Sequence, residues 1–339
     1  AGGAIPGPKV FLHVVVWAAV GAAGCVASSR ARQAAAAIFL MTDPLSLCRH
    51  KPRGWEGPAL RRKRTPVRCD TAHVLSDLQA LVVRRELLLD FAWRELRARY
   101  KGSVLGFAWN FVIPLSQLVV FWILFGVLFG VRPRTETGEQ PYAVFLFVGL
   151  LAWTFFANSV QGGAASIVAN GGIVKKVRLP VQLLPAATVL SSLVNYLLTL
   201  VVLVVVLAIF GPRHPEGLVY VPFLVLVQLV LNLGLAYLVA ALNVFFRDVQ
   251  HILGVLLMAW YFLTPVLFPI AILADRPREL FLMYLNPMTA IVVGYHRALL
   301  DGLAPEWGPL LYSTAFALVA FLVGFEYFRR AKDEFESAL

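Results

Sequence analysis

From Gln182 to Gly211 the chain has no Asp, Glu, Lys, Arg or His, and the heart of that stretch reads NYLLTLVVLVVVLAIF. A helix at the surface of a soluble domain keeps one face polar, and this run has no such face. About 20 apolar residues in helical form cross a ~30 Å hydrocarbon core. Inside that core each segment must satisfy its own backbone hydrogen bonds, which restricts the fold to helices or a closed barrel. Runs of this length recur along the sequence, and they far exceed the roughly 10-residue alternating segments of a barrel. With 59% hydrophobic and 14% charged residues, the composition points the same way. The chain is expected to be an all-α integral membrane protein.

Six transmembrane helices are expected, over about 104–131, 141–161, 182–211, 218–244, 250–273 and 308–328. Pro265 and Pro269 break the fifth, because proline removes a backbone donor and kinks a helix. Beyond it, ELFLMYLNPMTAIVVGYHRALLDG is interrupted at Asn286–Pro287 and predicts two short helices re-entering from the outer side. Ahead of the first span, residues 76–102 carry Leu81, Leu88, Leu89, Ala92, Trp93 and Leu96 at helical spacing. Glu86, Asp90, Arg94, Arg97 and Lys101 lie opposite, as in an amphipathic helix at a membrane interface. Lys and Arg concentrate in that helix, in the loop holding Lys175, Lys176 and Arg178, at Arg247 and in the C-terminal tail. The positive-inside rule then places both termini in the cytoplasm.

The formal net charge of +11 is uneven. Residues 1–75 hold 11 Lys/Arg against 3 Asp/Glu, whereas residues 76–339 hold 19 against 16. A basic tail facing solvent or lipid headgroups explains this better than nucleic-acid binding. Residues 1–75 are expected to be a poorly ordered extension, with Met41 as a candidate true start and an over-long gene reading before it. KVFLHVVVWAAVGAAGC resembles a signal peptide or a lipoprotein site at Cys25, and a further membrane helix near 10–26 is the alternative. Cys25, Cys48 and Cys69 form no CxxC pair, so no metal or disulfide framework is expected.

The span interiors essentially lack ionisable residues apart from His251 near an end. Ion-coupled carriers and voltage sensors need such groups. No GxxxxGK[ST] occurs, so any energy from ATP must come through another subunit. What the spans do carry is neutral: Asn110, Gln117, Asn158, Gln161, Asn195, Gln228, Asn232 and Asn243, with aromatic clusters at Trp122, at Trp153, Phe155 and Phe156, and at Trp260 and Tyr261. Each amide could equally serve as helix-to-helix glue. The functional expectation is a path lined by these rings, whose faces suit the C–H faces of sugars. An enzyme acting on lipid-linked sugars would have to use Asp275, Glu279, His296 and Asp301, a set poorly arranged for acid–base work.

The run Arg99-Tyr100-Lys101-x-Ser103-x-Leu105-Gly106-x-x-Trp109, followed by Pro114, resembles the first motif of ABC-2-type exporter permeases. Within that family it is most similar to the branch that exports O-antigen, teichoic acid and other lipid-linked polysaccharides. SIVANGGIVKKVRLP, NVFFRDVQHI and LNPMTAIVVGYHRALLDG resemble its later segments in order, so the likeness covers about 76–339. The resemblance implies a 103–339 permease domain in a bacterial cytoplasmic (inner) membrane. It implies a homodimer partnered by two copies of a separate ATPase, which holds ATP and Mg, and a lipid-linked glycan as substrate. No cofactor and no nucleic acid belong to this chain on that reading.

It also implies roles for particular residues. Tyr100, Lys101, Ser103, Leu105, Gly106 and Trp109 would form the substrate entrance. Arg97, Arg99, Gly171, Lys175, Lys176, Arg178, Arg247 and Asp248 would couple to the ATPase. Asn286, Pro287, Tyr295 and His296 would belong to an outer gate, with no catalytic role. A small-molecule exporter of the same architecture stays open as the alternative.

Overall fold

A computed structural model describes residues 85–100, 102–103, 105–130, 133–176, 180–210 and 215–335. The expectations for residues 1–75, and for the start of the amphipathic helix before Arg85, lie outside the described residues. Helix α1 (Arg85–Tyr100) is followed by α2 (Trp109–Phe121), which runs on as a π-helical turn, Trp122–Leu128. Two-residue strands β1 (Arg134–Thr135) and β2 (Gly138–Glu139) form a small antiparallel hairpin before α3 (Tyr142–Ala169). The short α4 (Gly171–Lys176) precedes α5 (Leu183–Phe210), α6 (Val221–Phe245) and α7 (Val249–Phe262). Two short helices, α8 (Pro277–Tyr284) and α9 (Pro287–His296), lead through a π-helical turn, Arg297–Asp301, to α10 (Trp307–Ala331).

Five helical segments are long and apolar enough to cross a membrane: Trp109–Leu128, Tyr142–Ala169, Leu183–Ile209, Glu216–Phe245 and Trp307–Glu334. The expected fifth span, 250–273, takes a different form. Helix α7 has 14 residues, a rise of about 21 Å, and stops before Pro265. The chain then turns, and resumes only as a single 3-10 turn, Ile270–Leu273, after Pro269. The second span is longer than its 141–161 expectation. Gly162 and Gly163 do not end it; a Cβ on Gly163 would lie 2.6 Å from the Ala236 Cβ, so this glycine lets α3 and α6 meet closely.

Helix α3 is central, packed against α5, α6, α7 and α9. The main core joins Phe145, Phe147, Phe156 and Val160 of α3 to Leu224 and Leu231 of α6 and Ile291 and Tyr295 of α9. Amides from α6 fasten it: Gln228 Nε2 donates to Ala152 O at 2.6 Å, Asn232 Nδ2 to Ser159 Oγ at 3.2 Å and Asn243 Nδ2 to Ala164 O at 2.8 Å. For these three, the glue reading of the sequence holds.

A second core cluster gathers one end of the bundle, where Ile167 of α3, Ala241 and Val244 of α6, Phe328 of α10 and Phe335 meet, with Leu88 of α1 against them. Helix α1 therefore has two apolar faces. Ala92 and Leu96 are buried, while Leu89 and Trp93 face outward, as an interfacial helix requires.

Helices α6 and α10 cross at Gly234 and Gly324, where an added Cβ on either would run into the partner backbone. Gly324→Val is expected to cost about 1–3 kcal/mol or more through overpacking, read as a lower melting temperature of the detergent-solubilised protein. Gly308→Ala on the same helix, with no atom within 4 Å of the added Cβ, should leave it unchanged.

Candidate transport path and outer gate

The entrance motif has a local physical basis. Gly102 and Gly106 adopt φ of 82° and 51°, a region open to glycine at little cost. Between them the chain folds back so that Trp109 Nε1 donates to Ser103 Oγ at 2.7 Å, and Gly106 N to Ser103 O at 3.2 Å. Leu105 projects outward, 47% exposed. Ser103, Gly106 and Trp109 thus form one structural unit that ends α1 and starts the first span. The side chains of Tyr100 and Lys101 lie outside the described residues.

Of the expected coupling residues, Arg97 is exposed and stacks over Trp93 at 5.0 Å. Arg247 and Asp248 are exposed in the turn between α6 and α7. Gly171 opens α4, directly after Asn170, whose Oδ1 accepts from Arg94 of α1 at 3.3 Å. Helix α1, the end of α3 and the end of α6 therefore share one end of the molecule. The side chains of Arg99, Lys175, Lys176 and Arg178 lie outside the described residues.

The expected ring-lined path is rearranged. Trp122 alone is open, 57% exposed on the π turn, whereas Trp153, Phe155 and Phe156 are 6%, 2% and 0% exposed. The ring of Trp153 lies 5.5 Å from Tyr261 and Phe156 lies 5.1 Å from Trp260, both half-buried on α7. In this conformation these rings form a joint between α3 and α7, because a flat ring buries more area against another helix than in a gap. Phe155 likewise packs on Tyr196 of α5, at 4.9 Å.

At the other end, Asn286 is a clip. Its Oδ1 accepts from Trp260 Nε1 at 2.7 Å and from Met288 N at 3.0 Å, which caps α9. Its Nδ2 donates to Thr264 Oγ1 at 2.9 Å. Pro287 takes the first position of α9, where its missing N–H costs nothing. Tyr295 is 1% exposed beside Tyr196. His296 stacks on Phe145 at 4.0 Å and Nε2 lies 3.1 Å from Phe145 O. A carbonyl only accepts, so this nitrogen carries the proton.

Sequence reasoning missed the hub beside this histidine. Arg297 NH1 bonds Glu136 Oε1 at 2.6 Å and Glu306 Oε1 at 3.0 Å, and its Nε donates to Ala304 O at 3.0 Å. Tyr284 OH donates to Glu306 Oε2 at 3.0 Å. Asp301, 5% exposed, accepts from Thr137 Oγ1 at 2.5 Å and Thr137 N at 3.3 Å. Gly217, ahead of α6, lies directly against Ala298 O. One π turn thus holds the hairpin between the first two spans, the approach to α6 and the approach to α10. The visible signal was opposite charge in separate loops, at Glu136 and Arg297, but nothing in the sequence pairs residues 161 positions apart.

Residues 87–300 match the model of the ABC-2 type transporter family. The chain belongs to the ABC-2 type transporter family. Over 255 residues it is 36% identical to the O-antigen export system permease protein RfbA of Myxococcus xanthus, covering 75% of this chain and 96% of that one. An O-antigen export system permease protein RfbA of Klebsiella pneumoniae is 28% identical over 258 residues, 75% of this chain and 95% of its own. The polysialic acid transport protein KpsM of Escherichia coli is 26% identical over 247 residues, 71% and 91%. This ABC-2 member is therefore a multi-pass membrane protein whose hub and clip lie within, or a few residues past, the matched region.

Arg297→Ala and Asp301→Ala each remove a tie on the hairpin. Both are expected to speed tryptic cleavage at Arg134 several-fold in the folded, detergent-solubilised protein. Unchanged cleavage would show that the hairpin is held by other contacts.

Proposed function

We propose that this chain is the membrane-spanning permease subunit of an ATP-driven exporter, moving a lipid-linked polysaccharide across the bacterial cytoplasmic (inner) membrane. The substrate class is that of O-antigen, teichoic acid, galactan or capsule-like glycans. The observation that carries the reading is the 36% identity to an O-antigen export permease over 96% of that protein. The chain itself has no P-loop sequence; on this reading it is not an enzyme, and a separate ATPase subunit, in two copies, holds ATP and Mg.

Two copies of the permease form the path at their seam. Support comes from the first span, Trp109–Leu128: only 6% of its apolar window is buried, against 78% for α3. A span so little packed on its own chain has surface to give to a second copy, and closed two-fold pairing is the economical arrangement. Trp122, Val120 and Leu128 stand on it, all strongly exposed. Helix α7 and the broken segment after it, with α8 and α9 as re-entrant outer helices, complete a sixth crossing. Both termini then lie in the cytoplasm, with α1 on the inner headgroups. Its exposed Leu89 and Trp93 enter the lipid, and the Ser103–Trp109 unit borders the substrate entrance. ATP-driven rigid-body movement of this inner end opens the path.

The test is to purify the chain from its native host. It is expected to co-purify with an ATPase subunit at two copies of each, to form inter-copy disulfides as Val120→Cys, and to be required for surface glycan. A strict monomer that never co-purifies with an ATPase would overturn the reading.

A further inference from the structure

Among the spans, α3 is the one most enclosed by its own chain, yet it keeps one open strip. Asn158 and Gln161 are exposed, with Thr154 half-buried on the turn before them and Ala165 half-buried on the turn after. The spacing of four, three and four places these side chains on one helix face, along about 16 Å of the axis at a 1.5 Å rise per residue. Ala165 brings no polar group, and its methyl is too small to cover the amide of Gln161 one turn away. Thr154 Oγ1 turns back onto Leu151 O at 3.1 Å. Neither the Asn158 nor the Gln161 amide bonds to another described residue.

The open faces of α5 and α10 are apolar. Helix α5 exposes Leu197, Val201, Val205 and Ile209, and α10 exposes Leu311, Leu318, Val319 and Leu322. Those faces suit lipid; an unpaired amide facing hydrocarbon does not, because its donors and acceptor have nothing to bond. The amides that this chain uses as glue, Gln228, Asn232 and Asn243, are 0–2% exposed and donate into α3. Asn158 and Gln161 point away from that packing.

We infer that the Thr154–Asn158–Gln161 face of α3 is the wetted wall of the transport path, and that its two amides bond the hydroxyl and amide groups of a saccharide. An amide side chain both donates and accepts, as saccharide hydroxyls do. Without a charge, each such bond exchanges readily with water, so a polymer can advance along the strip unit by unit. The inference rests on the exporter reading for its ligand, and it assigns specificity to these neutral groups instead of to the enclosed rings.

The experiment uses the whole complex in native membranes, with Cys25, Cys48 and Cys69 replaced by Ser. Asn158→Cys and Gln161→Cys are treated with a charged methanethiosulfonate, beside Val201→Cys and Leu322→Cys as lipid-facing controls. The first pair is expected to react at least tenfold faster than the controls. Control-like rates would place the strip in lipid, and spontaneous disulfides between copies would make it a subunit contact; either overturns the inference. In the second arm, Asn158→Leu combined with Gln161→Leu should lower glycan export about tenfold with ATPase co-purification intact. Wild-type export by that variant overturns the saccharide contact. Fast thiols in a chain whose deletion leaves surface glycan intact would keep the wetted wall and sink the exporter reading. Unreactive thiols would do the reverse.

Discussion

Hydrocarbon offers no hydrogen bonds, and nearly every feature of this chain answers that constraint. The long spans satisfy their backbones as continuous helices. Where the helix must stop inside the protein, side chains take over. After α7 ends at Phe262, Thr264 Oγ1 bonds Trp260 O at 2.9 Å and Asn286 Nδ2 bonds Thr264 Oγ1 at 2.9 Å. Tyr142 OH reaches Leu267 O at 2.6 Å. The non-helical backbone around Thr264 and Leu267 is thus held against α3 and α9.

The same constraint separates two uses of neutral polar residues. Amides on α6 are turned wholly inward and act as staples on α3, while those on the free strip of α3 are turned outward. The chemistry of Asn232 and Asn158 is identical, and only enclosure separates the buried staple from the exposed amide. Aromatic residues divide similarly. Trp153, Phe156, Trp260 and Tyr261 lock α3 to α7, and Trp122 stands free on a span that has scarcely any packing of its own.

The Arg297 end is organised by ionic and hydrogen-bonded ties about Arg297 and Asp301, at a π turn, a form often found at functional sites. The opposite end is organised by an apolar cluster joining α1 to the ends of α3, α6 and α10. Helix α3 runs between them, touching Arg94 through Asn170 at one end and His296 through Phe145 near the other. Helix α3 therefore contacts α1 at one end and α9 near the other.

Membrane character, helical class, the amphipathic character of α1 and the breaks at Pro265 and at Asn286–Pro287 were legible in the sequence, because each depends on residues near one another in the chain. Hydrophobic length, proline chemistry and helical spacing are local properties. The motif around Ser103, Gly106 and Trp109 was legible as a pattern, and its reason became visible as one short hydrogen bond that spans the positive-φ Gly106. Only the tertiary structure decided that α7 is too short to be counted with the long spans, that Phe155 and Phe156 are enclosed, and that Glu136 meets Arg297. It likewise decided which amides face inward. Those facts depend on which faces of distant helices meet, and a one-dimensional pattern gives residue chemistry without giving the neighbour that uses it.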